Sequence, residues 1–343
     1  MAQSVRWHLS STSKLVSLFI WLFALLLAIW ILSLLPLDEV SEAITKLHFQ
    51  QWCQWIALNI AAIIFLTCRW QVLITAIRLP LGFFNLLRIR QAGQLVSFVT
   101  PGPQFGGEPM QVYWLWHKYS MPLHHSFLAV GVDRFFELWV NFSILLVMLL
   151  ALIFSNPHDF IEWQYIALVL ASIIITMIII GWTLLRRPQA IEAWINRIIS
   201  PWLHHKRMRE IDQHLINFNR MLQAAFTHRR KYFGIAIGLS FLGWTCMLAE
   251  LWLLLNFIEI PLSSTNFLLL FVLVRLAFLL PLPGGLGTIE AAIFWGFQYL
   301  SFPLSAATSL IVLMRLRDVT ILLTSVTLLP GLHSSKNLGT DTH

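Results

Sequence analysis

The chain has 343 residues, 58% of them hydrophobic and 11% charged, with 16 Trp, 25 Phe and a net charge of +7. That composition excludes an ordinary soluble domain and places the chain among membrane proteins. The positive charge is a topology signal, because segment 186–231 holds ten Lys/Arg against three acids and by itself equals the whole-chain excess.

In chain order, Leu15 to Leu35 is the first run of about 20 apolar residues, the length a helix needs to cross the hydrocarbon. It is too long for a signal-peptide core and no small-residue cleavage site follows, so it is expected to be retained. Asp38, Glu39 and Glu42 come next, then a second run, Trp52 to Ile77, that carries polar and charged residues. Arg78, Arg88 and Arg90 mark a cytoplasmic stretch by the positive-inside rule.

From Gln91 to Trp116 the sequence is too apolar for an aqueous loop and too broken for one straight helix. It contains PGPQFGGEP at residues 101–109. A re-entrant pair entered from the cytoplasm fits, since irregular backbone at membrane depth survives only inside protein or beside a wet cavity. Phe127 to Phe154 is the next span, followed by Asp159 and Glu162 on the outside and by the span Ile166 to Leu185.

The basic segment then carries Met208, Ile211, Leu215, Phe218, Leu222 and Phe226 at helical spacing, an apolar stripe beside a cationic face. It is expected to lie on the inner membrane surface, with residues 203–231 against anionic lipid. Without a recognition motif, no nucleic-acid partner is expected. Tyr232 to Ile258 is a clean span, external Glu259 follows, and a second broken stretch, PGGLGTIE at 283–290, precedes the span Leu304 to Leu329. On these signs both termini are cytoplasmic.

The two broken stretches match. Pro101-Gly102 reaches Glu108, and Pro283-Gly284 reaches Glu290, after the same interval. Pro122 then Arg134 follow the first glutamate, and Pro303 then Arg315 follow the second, at nearly equal separations. The first stretch is entered from inside and the second from outside, so the repeats are expected to be inverted. That arrangement places a substrate site near the bilayer midplane. The expected fold is all-α: one polytopic domain over 1–343, with repeat 1 at about 52–155, the basic segment at 186–231, repeat 2 at about 232–330 and a tail at 331–343.

Charge inside a membrane costs about 2.5 to 3.5 kcal/mol per residue, so each such group needs a partner or a task. Arg134 and Arg315 are candidates to hold a lipid phosphate through the guanidinium fork, and Glu108 and Glu290 to meet a cationic headgroup or a proton. Asp133, Glu137, Arg275 and Asp318 are read as supporting ion pairs. Gly106, Gly107, Gly284, Gly285 and Gly287 are read as turn and packing glycines. Cys53, Cys68 and Cys246 are read as small buried hydrophobes. His124-His125 and His204-His205 lack metal-ligand spacing, so neither a metal nor a cofactor is expected.

Gly106-Gly107-Glu108, Asp133-Arg134 and the run Pro283 to Glu290 resemble the marks of the lysylphosphatidylglycerol synthase transmembrane region, or flippase-like, family. The resemblance runs from the first span to the last. It implies a membrane domain that moves a lipid with a charged or glycosylated headgroup between leaflets. Family members often carry an arginine three residues after the first glutamate, where this chain has Gln111. Only a short tail follows Pro330, so the soluble synthase activity of some relatives is not expected. The reading is therefore a phospholipid or glycolipid transporter of the cytoplasmic membrane, with homo-oligomer formation left open. The alternative is an intramembrane lipid-modifying transferase that uses a buried glutamate as general base.

Overall fold

The computed structural model describes residues 47–79, 81–100, 106–155, 161–186, 230–280 and 282–328. The expected first span, the basic amphipathic segment with its lipid contact, Asp159, the start of the first turn and the tail lie outside these residues. Among the described residues the elements are helical: α1 (Phe49–Ala76), α2 (Phe83–Val99), α3 (Glu108–Lys118), α4 (Leu123–Ser155), α5 (Gln164–Arg186), α6 (Arg230–Phe257), α7 (Ser264–Phe278), α8 (Thr288–Tyr299) and α9 (Leu304–Leu328). Short 3-10 turns stand at Ile161–Trp163 and Pro283–Gly285.

Local chemistry sets the ends. At the start of α1 the Gln51 side chain accepts the His48 N–H at 2.8 Å, and at the start of α7 the Ser263 hydroxyl accepts the Asn266 N–H at 3.1 Å. Pro109 sits in the first turn of α3, where its missing N–H costs nothing. Four helices stop at a left-handed non-glycine residue: Arg78 after α1, Ser120 after α3, Glu259 after α6 and Ser301 after α8.

Among the described residues, four helices are long and apolar enough to cross a membrane: Phe49–Ala76, Leu123–Ser155, Gln164–Thr183 and Lys231–Phe257. The run ending at Leu329 was expected to be a clean span, and this needs correction. It forms the 25-residue α9, but Arg315, Arg317 and Asp318 fall in its middle. A helix with that much mid-length charge is sheltered by protein, and six consecutive residues, Leu310 to Arg315, are buried. At the other extreme, α5 packs against α4 and leaves most of its apolar surface unburied. Cys53 is exposed and Cys68 and Cys246 are partly exposed, so the cysteines are not core residues.

Antiparallel α1 and α6 form the most extensive helix contact, fixed by Trp55 against Glu250 near one end and Leu66 against Gly243 further along. Around that pair, α2 packs on α3 and on α9, while α7 packs on α8 and on α4. Gly107 is where α2 and α3 come closest. A Cβ there would stand 2.1 Å from the Gly93 carbonyl oxygen, and its N–H donates to the Ser97 hydroxyl at 2.9 Å.

Among the described residues two large apolar cores result. One takes the later part of α1, α2, α3, residues 128–136 of α4 and residues 319–326 of α9. The other takes residues 140–149 of α4, the later part of α6, α7, α8 and residues 307–314 of α9. On α9 the charged residues 315–318 fall between the two cores, and on α4 Asp133, Arg134 and Glu137 fall at the end of the first core's stretch, next to the second. A polar layer therefore lies between two apolar ones.

Candidate functional site

The polar layer is built from two ion-pair networks. In the first, α4 presents Asp133, Arg134 and Glu137 on one stretch of helix. Arg69 of α1 donates from Nε to Asp133 at 2.9 Å and from Nη2 to Glu137 at 3.2 Å. Arg90 of α2 donates to the other Asp133 oxygen at 3.1 Å and lies 3.7 Å from Glu137. Arg134 pairs with Glu108 at 2.8 Å and with Glu137 at 3.4 Å. Three guanidinium groups thus meet three carboxylates.

In the second network, Arg315 is saturated. Its Nε donates to Glu290 at 2.7 Å, Nη1 to the Gly284 carbonyl at 3.2 Å and to Asp318 at 2.9 Å, and Nη2 to the Gly285 carbonyl at 3.3 Å as well as pairing with Glu290. All five N–H groups are engaged and the side chain is 3% exposed. Arg317 holds Asp318 at 2.9 Å and Glu250 at 3.1 Å. Glu250 also accepts from the Trp55 indole and the Asn59 amide, each at 3.1 Å, which ties α1, α6 and α9 together.

The two glutamates act alike. One Glu108 oxygen accepts the Gly106 N–H at 2.8 Å while the other meets the Arg134 Nε. One Glu290 oxygen accepts the Gly287 N–H at 2.8 Å while the other meets the Arg315 Nε. Each carboxylate closes its own turn and ties it to the following long helix. The second turn needs its glycines: Gly284 has φ +57°, and a Cβ there would meet the Phe98 ring of α2 at 2.7 Å.

A cavity of about 450 Å³ opens between the networks. Its wall includes Glu108, Arg134, Asp133, Glu137, Asp318, Arg275 and the turn glycines Gly284 and Gly285. Glu290 and Arg315 stand behind those glycines rather than in the wall. Gln111, at the position where relatives often carry arginine, is in the wall and packs against Gly93.

Arg275 differs from the expectation of an ion pair. Among the described residues no carboxylate lies within 4 Å of it. Its guanidinium stacks on Trp244 at 4.3 Å and Phe271 at 5.7 Å, and its hydrogen-bond partner is the Met247 sulfur at 3.5 Å. The cost of intramembrane charge suggested pairing with an acid; the helix instead turns this residue onto aromatic faces.

Sequence reasoning missed Arg69, whose side chain is fully buried at the centre of the first network. A lone arginine inside the apolar run Trp52 to Ile77 was the available signal. Arg90, which the sequence marks only as a charge on the cytoplasmic side, lies inside the same network.

Long apolar helices, a charged layer between two cores and a cavity in that layer define a multi-pass helical membrane protein with an internal polar site. The lysylphosphatidylglycerol synthase transmembrane region model matches residues 15–325, and the chain belongs to that family. It is also similar to a UPF0104 membrane protein of Methanothermobacter thermautotrophicus, 23% identical over 287 residues, covering 80% of this chain and 83% of that protein. No solved structure gives a significant match.

Proposed function

We propose that this protein moves a phospholipid or glycolipid between the leaflets of the cytoplasmic membrane, through a site between two inverted repeats. The observation that carries this reading is the 450 Å³ cavity, walled by charge from both networks inside a bundle whose outer helices are apolar. A lipid headgroup needs such a polar room at membrane depth, while its chains can stay in the hydrocarbon.

Several features support the repeats. The helices run 28, 17, 11 and 33 residues from α1 to α4, and 28, 15, 12 and 25 from α6 to α9. The left-handed residues Arg78 and Glu259, and Ser120 and Ser301, are separated by the same 181 positions. Arg69 and Glu250 occupy the same place along α1 and α6 with opposite charge. The antiparallel run of α1 and α6 supports an inverted relation between the halves. In this reading α2 with α3 and α7 with α8 are the re-entrant hairpins, and the excess of Lys/Arg in 186–231 supports cytoplasmic termini.

All four of Glu108, Arg134, Glu290 and Arg315 belong to the headgroup site in this reading. Glu108 and Arg134 form part of its wall directly, and Glu290 with Arg315 hold the second turn that forms another part. The anionic inner leaflet remains the proposed partner of residues 203–231. The transferase alternative requires a carboxylate able to take a proton. Glu108 and Glu290 each commit both oxygens to a turn N–H and an arginine, which suits closing and opening a turn.

Mass spectrometry of lipids that copurify with the protein tests the site. Wild type should retain a defined lipid class and Arg134→Ala should lose it. An identical lipid profile in both would sink the assignment.

A further inference from the structure

Among the arginines of the polar layer, Arg275 is chemically unlike the others. Arg134, Arg317 and Arg90 each meet carboxylates, and Arg315 has no free donor. Arg275 lines the same cavity, and its hydrogen-bond acceptor is a thioether, a weak one. Holding a guanidinium at this depth without a carboxylate is costly unless something else compensates it. Stacking on Trp244 and Phe271 compensates part of that cost. Contact with ring faces does not consume N–H donors, Nη2 meets only the Met247 sulfur, and Nε and Nη1 make no hydrogen bond among the described residues, so donors remain for the bidentate fork that a phosphate accepts.

We propose that Arg275 is the cavity's anion-binding residue and takes a phosphate oxyanion, with Trp244 and Phe271 as the platform that holds its fork. The proposal rests on the lipid-transport reading and refines it. The networked arginines shape the room, and the stacked one receives the phosphate. The chemistry is shared by a phospholipid headgroup and a soluble phosphate ester, so the test separates these sources.

The experiment measures binding of three probes to the purified full chain in neutral detergent by isothermal titration calorimetry: dihexanoyl phosphatidylglycerol, glycerol 3-phosphate and dihexanoyl glycerol. Wild type should bind the phosphate-bearing lipid at least tenfold more tightly than the phosphate-free one, and Arg275→Gln should abolish that preference. Glycerol 3-phosphate binding with the same dependence on Arg275 would name a soluble anion as a ligand; binding of the lipid without it would name the headgroup. An unchanged preference in Arg275→Gln overturns the proposal and leaves the transport reading standing. Wild type that shows no preference for phosphate overturns the proposal, and wild type that binds neither lipid counts against the transport reading as well. Should Arg275→Gln fail to fold, Arg275→Lys carries the test. A point charge without the planar fork should keep the preference and lose severalfold in affinity, and undiminished affinity would contradict the stacked-fork geometry.

Discussion

Glu108 and Glu290 were picked out by their turns, and the structure gives each the same two partners: a glycine N–H and an arginine Nε. Their environments differ in one respect. The side chain of Arg315 is 3% exposed and that of Arg134 is 17% exposed, facing the cavity. Arg315 is the more buried of the two and would keep Asp318 as its one carboxylate partner, so Glu290→Gln leaves a deeply buried charge under-compensated and should destabilise by about 3 kcal/mol. Glu108→Gln should cost about 1 to 2 kcal/mol, because Glu137 still faces Arg134. Thermal unfolding in detergent checks the order, and the reverse order would contradict the geometry. These pairs were legible because proline, glycine and glutamate recur together at both turns. Arg69 was not legible, since nothing near it in the chain announces the acids more than sixty residues away. Arg275 differs from the expected ion pair because the cost of buried charge says that a partner is needed but not which one, and aromatic faces answer part of that need.

At the scale of elements, the broken stretches were visible because proline and glycine interrupt otherwise apolar runs, and α2, α3, α7 and α8 appear on either side of the interruptions. The lengths and the close approaches were not visible. Gly107 permits α2 and α3 to touch, and a methyl group there would collide with a backbone oxygen that cannot rotate away. Gly107→Ala should therefore cost about 3 kcal/mol and lower the yield of folded protein. Gly131 in α4 is the control, as a Cβ there meets nothing within 4 Å. Gly131→Ala should be neutral or stabilise by up to about 1 kcal/mol. Equal melting temperatures for the two variants would show that α2 and α3 do not pack as described. The misjudged helix, α9, has a run of apolar residues long enough to span, and its mid-length charges become intelligible only once α2 and α8 are seen against it.

Across the whole molecule, membrane character and helical class follow directly from composition and apolar run lengths. The depth of the polar layer does not, because it depends on where α4 and α9 pass from one apolar core to the other. That layer gives the proposed transport its physical basis: ion pairs that satisfy one another at rest, two turns each closed by a glutamate, and a room large enough for a headgroup. Moving a headgroup through it should require the turns to loosen. Transport should therefore be more sensitive than stability to Glu108→Gln, the milder of the two glutamate changes. The central claim is tested most directly by reconstituting the full chain into phosphatidylglycerol-containing vesicles with a headgroup-labelled phospholipid and following quenching of the label in each leaflet. Wild type should accelerate exchange between leaflets well above protein-free vesicles, with the lipid chemically unchanged and the rate reduced at least tenfold by Glu108→Gln. Exchange no faster than in protein-free vesicles, across phospholipid and glycolipid probes alike, would contradict it.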